Sequence, residues 1–99
     1  MNGKVTLITG GTRGIGKGLV ETFVSAGSHV AFTYRSSHQA SDELVDALKT
    51  SEVKIKGYAS DAADYVQAEN LVKQVLEDFG TIDVLINNAG ITRDRKSVV

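Results

Sequence analysis

The 99-residue chain contains no cysteine, which excludes a disulfide framework and any metal site built on thiolates. It contains no proline either, and no proline-rich linker, internal repeat or low-complexity tract divides it, so a single domain is expected. Neither sign of charge is in excess: 11 Lys and Arg stand against 12 Asp and Glu, for a formal net charge of -1. Without a basic field, a nucleic-acid partner has no electrostatic footprint. No apolar run approaches the roughly 20 residues that span a bilayer. The run after Lys4 is broken by Thr9, Gly10 and Gly11, too early for a signal-peptide core, so no membrane is expected and the cytoplasm is the expected compartment. His29 and His38 have no second histidine, cysteine or paired carboxylate at ligand spacing, and no metal is expected. Ser36, Ser37 and Ser41 have neither a histidine base nor a nucleophile elbow, which argues against hydrolysis.

The residues present have the balance of an ordinary globular protein, 41% apolar and 23% charged. The chain is nevertheless short for a complete α/β catalytic unit. Four apolar, β-branched runs, Val5 to Thr9, His29 to Tyr34, Val53 to Ala59 and Asp83 to Asn87, alternate with three helix-like segments. Such alternation is the sequence form of successive βαβ crossovers around a parallel sheet. The first and last runs lack polar alternation, as expected of central strands covered on both faces. The first helix is expected from Gly14 to Gly27, turning Ile15, Leu19 and Phe23 inward with Val20 and Val24 beside them. The second is expected around Ser41 to Lys49, with Leu44, Val45 and Leu48 inward. In the third, Ala68, Leu71, Val72, Val75, Leu76 and Phe79 form the stripe, Gly80 ends it, and Asp64 with Gln67 forms a capping box.

Between the first strand and first helix lies Thr9-Gly10-Gly11-Thr12-Arg13-Gly14-Ile15-Gly16. Gly10 suits a tight turn, Gly14 an approach of backbone amides to a pyrophosphate, and Gly16 close packing of helix and sheet. Exposed amides and the positive end of the helix dipole then favour an anion. The spacing differs from G-x-G-x-x-G and lacks the Lys-Ser/Thr ending of a P-loop, so a nucleoside-triphosphate site is disfavoured. The plain alternative, glycines that only build a strand-to-helix turn, is weakened by the strand before them and the amphipathic helix after them.

The segment TGGTRGIG followed by Asn87-Asn88-Ala89-Gly90 resembles the short-chain dehydrogenase/reductase family, and Asn87 to Asp94 (NNAGITRD) is similar to the stretch its 3-oxoacyl-[acyl-carrier-protein] reductases carry after the fourth strand. The resemblance runs from Lys4 to about Asp94. It implies a Rossmann-type doubly wound parallel sheet, ordered 3-2-1-4 and truncated after the fourth strand, with the ligand at the switch point beside the first and fourth strands. It further implies that Gly10, Gly11, Thr12, Arg13, Gly14, Ile15 and Gly16 receive a dinucleotide, that Asp61 and Ala62 hold the adenine, and that Asn88, Ala89 and Gly90 line the ribose and nicotinamide. Asn87 is expected mainly to tie strands together. The alternatives are that Asp61 and Asp64 only start the next helix, preferred for Asp64, and that Asn87 to Gly90 is a plain turn.

The residue just past the second strand discriminates between cofactors, because a carboxylate there accepts from a ribose 2′-hydroxyl and repels a 2′-phosphate. Here the strand ends Tyr34-Arg35-Ser36 with no acid. Arg35 offers a planar fork of donors and Ser36 another, with Arg13 able to reach the same region, so NADP(H) is expected. A solvated loop arginine is the competing reading.

In the family a serine and a Tyr-x-x-x-Lys pair polarise the substrate carbonyl, the tyrosine giving the proton and the cofactor the hydride. Here Tyr34, Tyr58 and Tyr65 are followed four residues on by His38, Ala62 and Glu69, so no catalytic residue is expected in the chain and the tyrosines are expected to pack. After Asp94 a reductase usually continues with asparagine and an apolar helix, whereas this chain reads Arg95-Lys96-Ser97-Val98-Val99. One reading frame of a common sequencing adapter encodes Asp94 to Val99 followed by a stop. The expected division is therefore 1–93 as an N-terminal NADP-binding half and 94–99 as a non-native or disordered tail. The implied parent protein is an NADPH-dependent reductase of 3-oxoacyl groups on acyl carrier protein, in fatty-acid synthesis, commonly a homotetramer. A reductase of another small carbonyl and an inactive nucleotide-binding fragment are the alternatives; an adenosyl-dependent methyltransferase would want an acid in place of Arg35. The fourth strand is expected to expose Val84, Leu85 and Ile86 along an unpaired edge, leaving the isolated chain prone to aggregate or molten.

Overall fold

The computed structural model describes residues 3–10, 14–35, 38–50, 52–60 and 64–88. Strands β1 (Val5–Ile8), β2 (His29–Tyr34), β3 (Ile55–Ala59) and β4 (Val84–Ile86) alternate with helices α1 (Gly14–Ser25), α2 (His38–Leu48) and α3 (Tyr65–Phe79). All three strand pairings are parallel and the order is β3-β2-β1-β4. Alternation of side chains along each strand then sorts the core into two faces. Ile8, Val30, Phe32 and Tyr34 meet Val20 of α1 and Leu44 of α2 on one face, with Leu19, Phe23, Val24, Val45 and Leu48 packed around them. Leu7 and Ala31 meet Leu71 and Val75 of α3 on the other. Among the described residues, no helix is long and apolar enough to cross a membrane.

The strands are shorter than the apolar runs that announce them. Val53 is buried, but its N–H is taken by the hydroxyl of Thr50, and the ladder begins two residues later at Ile55. Asp83 precedes β4 yet fixes it: its N–H donates to the Val5 carbonyl at 2.8 Å and its carboxylate accepts from the Val5 N–H at 2.9 Å. Helix α2 starts at His38, three residues before the expected Ser41, because its first turn is polar and carries no apolar periodicity; the His38 ring instead shares a hydrogen bond with the Tyr34 hydroxyl at 3.0 Å. Asp64 caps α3 as its spacing with Gln67 suggests, accepting from the N–H groups of Val66 and Gln67, and Gly80 closes the other end with its N–H on the Leu76 carbonyl.

Three burial expectations are corrected. Ile15 is 77% exposed. At 100° per residue, a four-residue step drifts 40°, so the row Ile15, Leu19, Phe23 runs obliquely and only its later members reach the face centred on buried Gly16 and Val20. Tyr65 is 75% exposed, an outward residue of the first turn of α3 rather than a packing residue, whereas Tyr34 is buried and Tyr58 packs beside the α3 core. Strand β4 lies at the sheet edge among the described residues, as the 3-2-1-4 order implies, and is not covered like a central strand, but of the three residues expected to be exposed only one is. Leu85 is 61% exposed there, while Val84 and Ile86 are half-buried.

Candidate functional site

The C-terminal ends of β1, β2 and β4 bring the described part of the glycine segment to one end of the sheet. Thr9 is tied to β4: its N–H donates to the Ile86 carbonyl at 3.0 Å and its hydroxyl to Asn87 Oδ1 at 3.1 Å, the tie between strands expected of Asn87. The chain then turns at Gly10 with φ 73°, a left-handed conformation that glycine adopts without steric cost. The Gly10 N–H donates to the Thr33 hydroxyl at 2.8 Å, and the Gly10 carbonyl accepts from Asn88 Nδ2 at 3.1 Å.

Helix α1 begins at Gly14, also left-handed at φ 56°, with nothing within 4 Å of where its Cβ would stand. The opposite holds at Gly16, where a Cβ would lie 1.7 Å from the Gly10 carbonyl oxygen and 2.8 Å from Asn88 Nδ2. Thus α1 rests on the turn itself, and Gly16 is what permits that approach. Ile15 projects outward beside it. Arg35 is exposed immediately after β2, and at the end of β3 the Ser60 hydroxyl is buried without a hydrogen-bond partner among the described residues, next to Asp61.

These features suit a dinucleotide. The first N–H groups of α1 are those a helix leaves without an intrahelical partner, and no described atom lies within 4 Å of a Gly14 Cβ; a cationic fork stands at the end of β2, and a buried hydroxyl without a described partner lies at the end of β3. Gly10, Gly14, Ile15, Gly16, Arg35 and Asn88 are placed at this end of the sheet, whereas Gly11, Thr12, Arg13, Ser36, Asp61, Ala62, Ala89 and Gly90 lie outside the described residues. Thr33 escaped the sequence reading, although a polar residue in an otherwise apolar run, two positions before Arg35, was a signal for it. Gly57 also escaped it: a Cβ there would lie 2.2 Å from Ser41 Oγ, so this strand glycine lets α2 approach β3.

A family model described as short chain dehydrogenase matches residues 4–98. The chain belongs to that family. Among its short-chain dehydrogenase relatives, the 3-oxoacyl-[acyl-carrier-protein] reductase FabG of Haemophilus influenzae is 44% identical over 94 residues, covering 95% of this chain and 37% of the relative. The 3alpha-hydroxysteroid dehydrogenase of Mediterraneibacter gnavus is 37% identical over 95 residues, covering 94% and 38%. Among solved structures, a short chain dehydrogenase from Burkholderia cenocepacia in complex with NADP matches with TM-score 0.86 and 35% identity, over 99% of this chain and 41% of that one. A blue fluorescent protein from a metagenomic library, in complex with NADPH, matches with TM-score 0.86 and 37% identity over the same shares. The short-chain dehydrogenase fold therefore extends over nearly all of this chain, which spans little more than a third of the length of these relatives.

Proposed function

We propose that the chain is the NADP(H)-binding part of a short-chain reductase that converts 3-oxoacyl groups on acyl carrier protein to 3-hydroxyacyl groups in fatty-acid synthesis, in the cytoplasm. The observation that carries the cofactor choice is Arg35, exposed at the end of β2 where no carboxylate stands to repel a 2′-phosphate. The 44% identity to a 3-oxoacyl-[acyl-carrier-protein] reductase supports the substrate class. In this reading residues 1–93 form the binding unit, and residues 94–99 take no part in it. Gly10 to Gly16 receive the pyrophosphate, Arg35 and Ser36 the 2′-phosphate, Asp61 and Ala62 the adenine, and Asn88, Ala89 and Gly90 the ribose and nicotinamide.

When bound, the cofactor supplies the hydride. This chain's residues bind and orient it, and the groups that polarise a carbonyl belong to the remainder of a homotetrameric parent. A small carbonyl other than an acyl thioester is the second reading, favoured by the 37% identity to a hydroxysteroid dehydrogenase. It keeps the cofactor assignment and changes only the remainder of the parent.

Titration of the chain with NADPH and with NADH, followed by nicotinamide fluorescence, tests the assignment. The chain is expected to prefer NADPH, and Arg35→Ala to weaken NADPH by about tenfold, the lower end for an exposed charge-assisted hydrogen bond, with little effect on NADH. Equal loss of both cofactors would remove Arg35 from phosphate recognition, and binding of neither would end the dinucleotide reading.

A further inference from the structure

We propose that Thr33 is a positioning residue for the glycine turn, acting through the backbone of Gly10 on every dinucleotide the turn receives. The role rests on the dinucleotide reading above, but its geometry is visible without a ligand. Thr33 is 2% exposed in a strand whose other inward residues are apolar. Its neighbours in register explain why a hydroxyl is needed. The β1–β2 ladder ends at the pair Ile8 and Phe32, and the Thr9 N–H turns the other way, to Ile86. At Gly10 the chain leaves the sheet, so no strand carbonyl receives the next N–H. The Thr33 hydroxyl takes it at 2.8 Å. On the far side Asn88 Nδ2 donates to the Gly10 carbonyl at 3.1 Å, and Gly16, lacking a side chain, leaves that carbonyl room.

The two peptide units that meet at Gly10 are thus held from opposite sides, one by β2 and the other by the residue two places beyond β4. With its N–H spent on Thr33, Gly10 directs the chain and does not itself donate to an anion. The direction in which the chain leaves the sheet toward the start of α1 is set at the Gly10 peptide. A pyrophosphate is common to NADPH and NADH, so loosening this anchor weakens both alike, which separates Thr33 from a residue that reads the 2′-phosphate.

The test uses Thr33→Val, which keeps the shape and removes the hydroxyl, and Thr33→Ser, which keeps the hydroxyl. Calorimetric titration with NADPH and NADH is paired with hydrogen exchange at the Gly10 amide of the ligand-free protein. Thr33→Val is expected to weaken both cofactors by about tenfold with their ratio unchanged, to expose the Gly10 amide to exchange while Leu7 stays protected, and to be rescued by Thr33→Ser. Parent-like affinity in Thr33→Val, or a change confined to NADPH, would overturn the proposal while leaving the dinucleotide reading standing. A parent chain that binds neither cofactor overturns both. A Gly10 amide that exchanges freely in the parent overturns the anchor whether or not the valine variant folds.

Discussion

Gly16 and Gly18 lie two residues apart in α1, yet an added methyl group has opposite consequences at the two positions. At Gly16 it would meet the Gly10 carbonyl oxygen at 1.7 Å, and backbone held by Thr33 and Asn88 cannot give way cheaply; at Gly18 nothing lies within 4 Å. Gly16→Ala is therefore expected to push α1 off the turn, costing about 1–3 kcal/mol of stability by overpacking and most of the dinucleotide affinity. Gly18→Ala should add up to about 1 kcal/mol through helix propensity and leave affinity unchanged. Urea unfolding beside a cofactor titration checks the pair, and equal behaviour of the two variants would remove Gly16 from the contact. Gly10 and Gly16 were legible in the sequence because a strand-to-helix turn imposes demands on the backbone that only glycine meets. Thr33, Gly57 and Ser60 were not, because their roles depend on strand register and on which helix lies opposite. Ile15 was misplaced for a related reason: apolar spacing marks a face but not its centre.

Helix α3 shows how far periodicity reaches at the scale of an element. Its length, its cap at Asp64 and its end at Gly80 follow from local signals, and Leu71 and Val75 are buried as the stripe implies. What spacing cannot show is the polar latch along one flank, where Asp78 meets the edge strand β3. Asp78 Oδ2 accepts from the Tyr58 hydroxyl at 2.7 Å and from Lys56 Nζ at 2.9 Å, and Lys54 Nζ donates to the Asp78 carbonyl. The hydrogen bond from Tyr58, then that from Lys56, lowers the Asp78 carboxyl from 3.8 to about 2. Burial, then the hydrogen bond and charge of Asp78, pushes the Tyr58 phenol well above its ordinary value of 10.0. For the lowered carboxyl, the folded state binds fewer protons than the unfolded chain, so its contribution is full above pH 3.8 and lost as pH falls toward about 2. For the raised phenol, the folded state keeps a proton that the unfolded chain releases, so its contribution is full below pH 10.0 and lost above it. Asp78→Asn is expected to flatten the acid limb of the urea midpoint against pH, and Tyr58→Phe the alkaline limb. A limb that keeps its slope in the matching variant would take that group out of the latch.

For the whole molecule, the same helix fixes which side of the sheet is left uncovered. Asp78 and Gln74 turn one flank of α3 toward β3, so the opposite flank, carrying Tyr65, Val72 and Leu76, leans toward β4; all three are exposed. Leu85 pairs in register with Leu7, whose side chain packs under α3, so it lies on that same face of the sheet. The helix flank and Leu85, apolar and exposed on one face of the sheet, make a step beside β4, whose outer backbone has no strand partner among the described residues, and such an edge recruits another chain. The sequence announced the edge through strand order, but it could not show that exposure concentrates at Leu85, because that depends on where α3 settles across the sheet. The 99-residue chain is accordingly expected to self-associate as its concentration rises. Sedimentation velocity across a concentration series, with dye binding to exposed apolar surface, measures this. Leu85→Lys combined with Leu76→Glu places charges on both walls of the step and should hold the chain monomeric with lower dye binding and an unchanged cofactor preference, since neither residue is among those that meet the turn. A parent chain that stays monomeric throughout and melts in one sharp transition would show that the four strands and three helices among the described residues suffice to close this core.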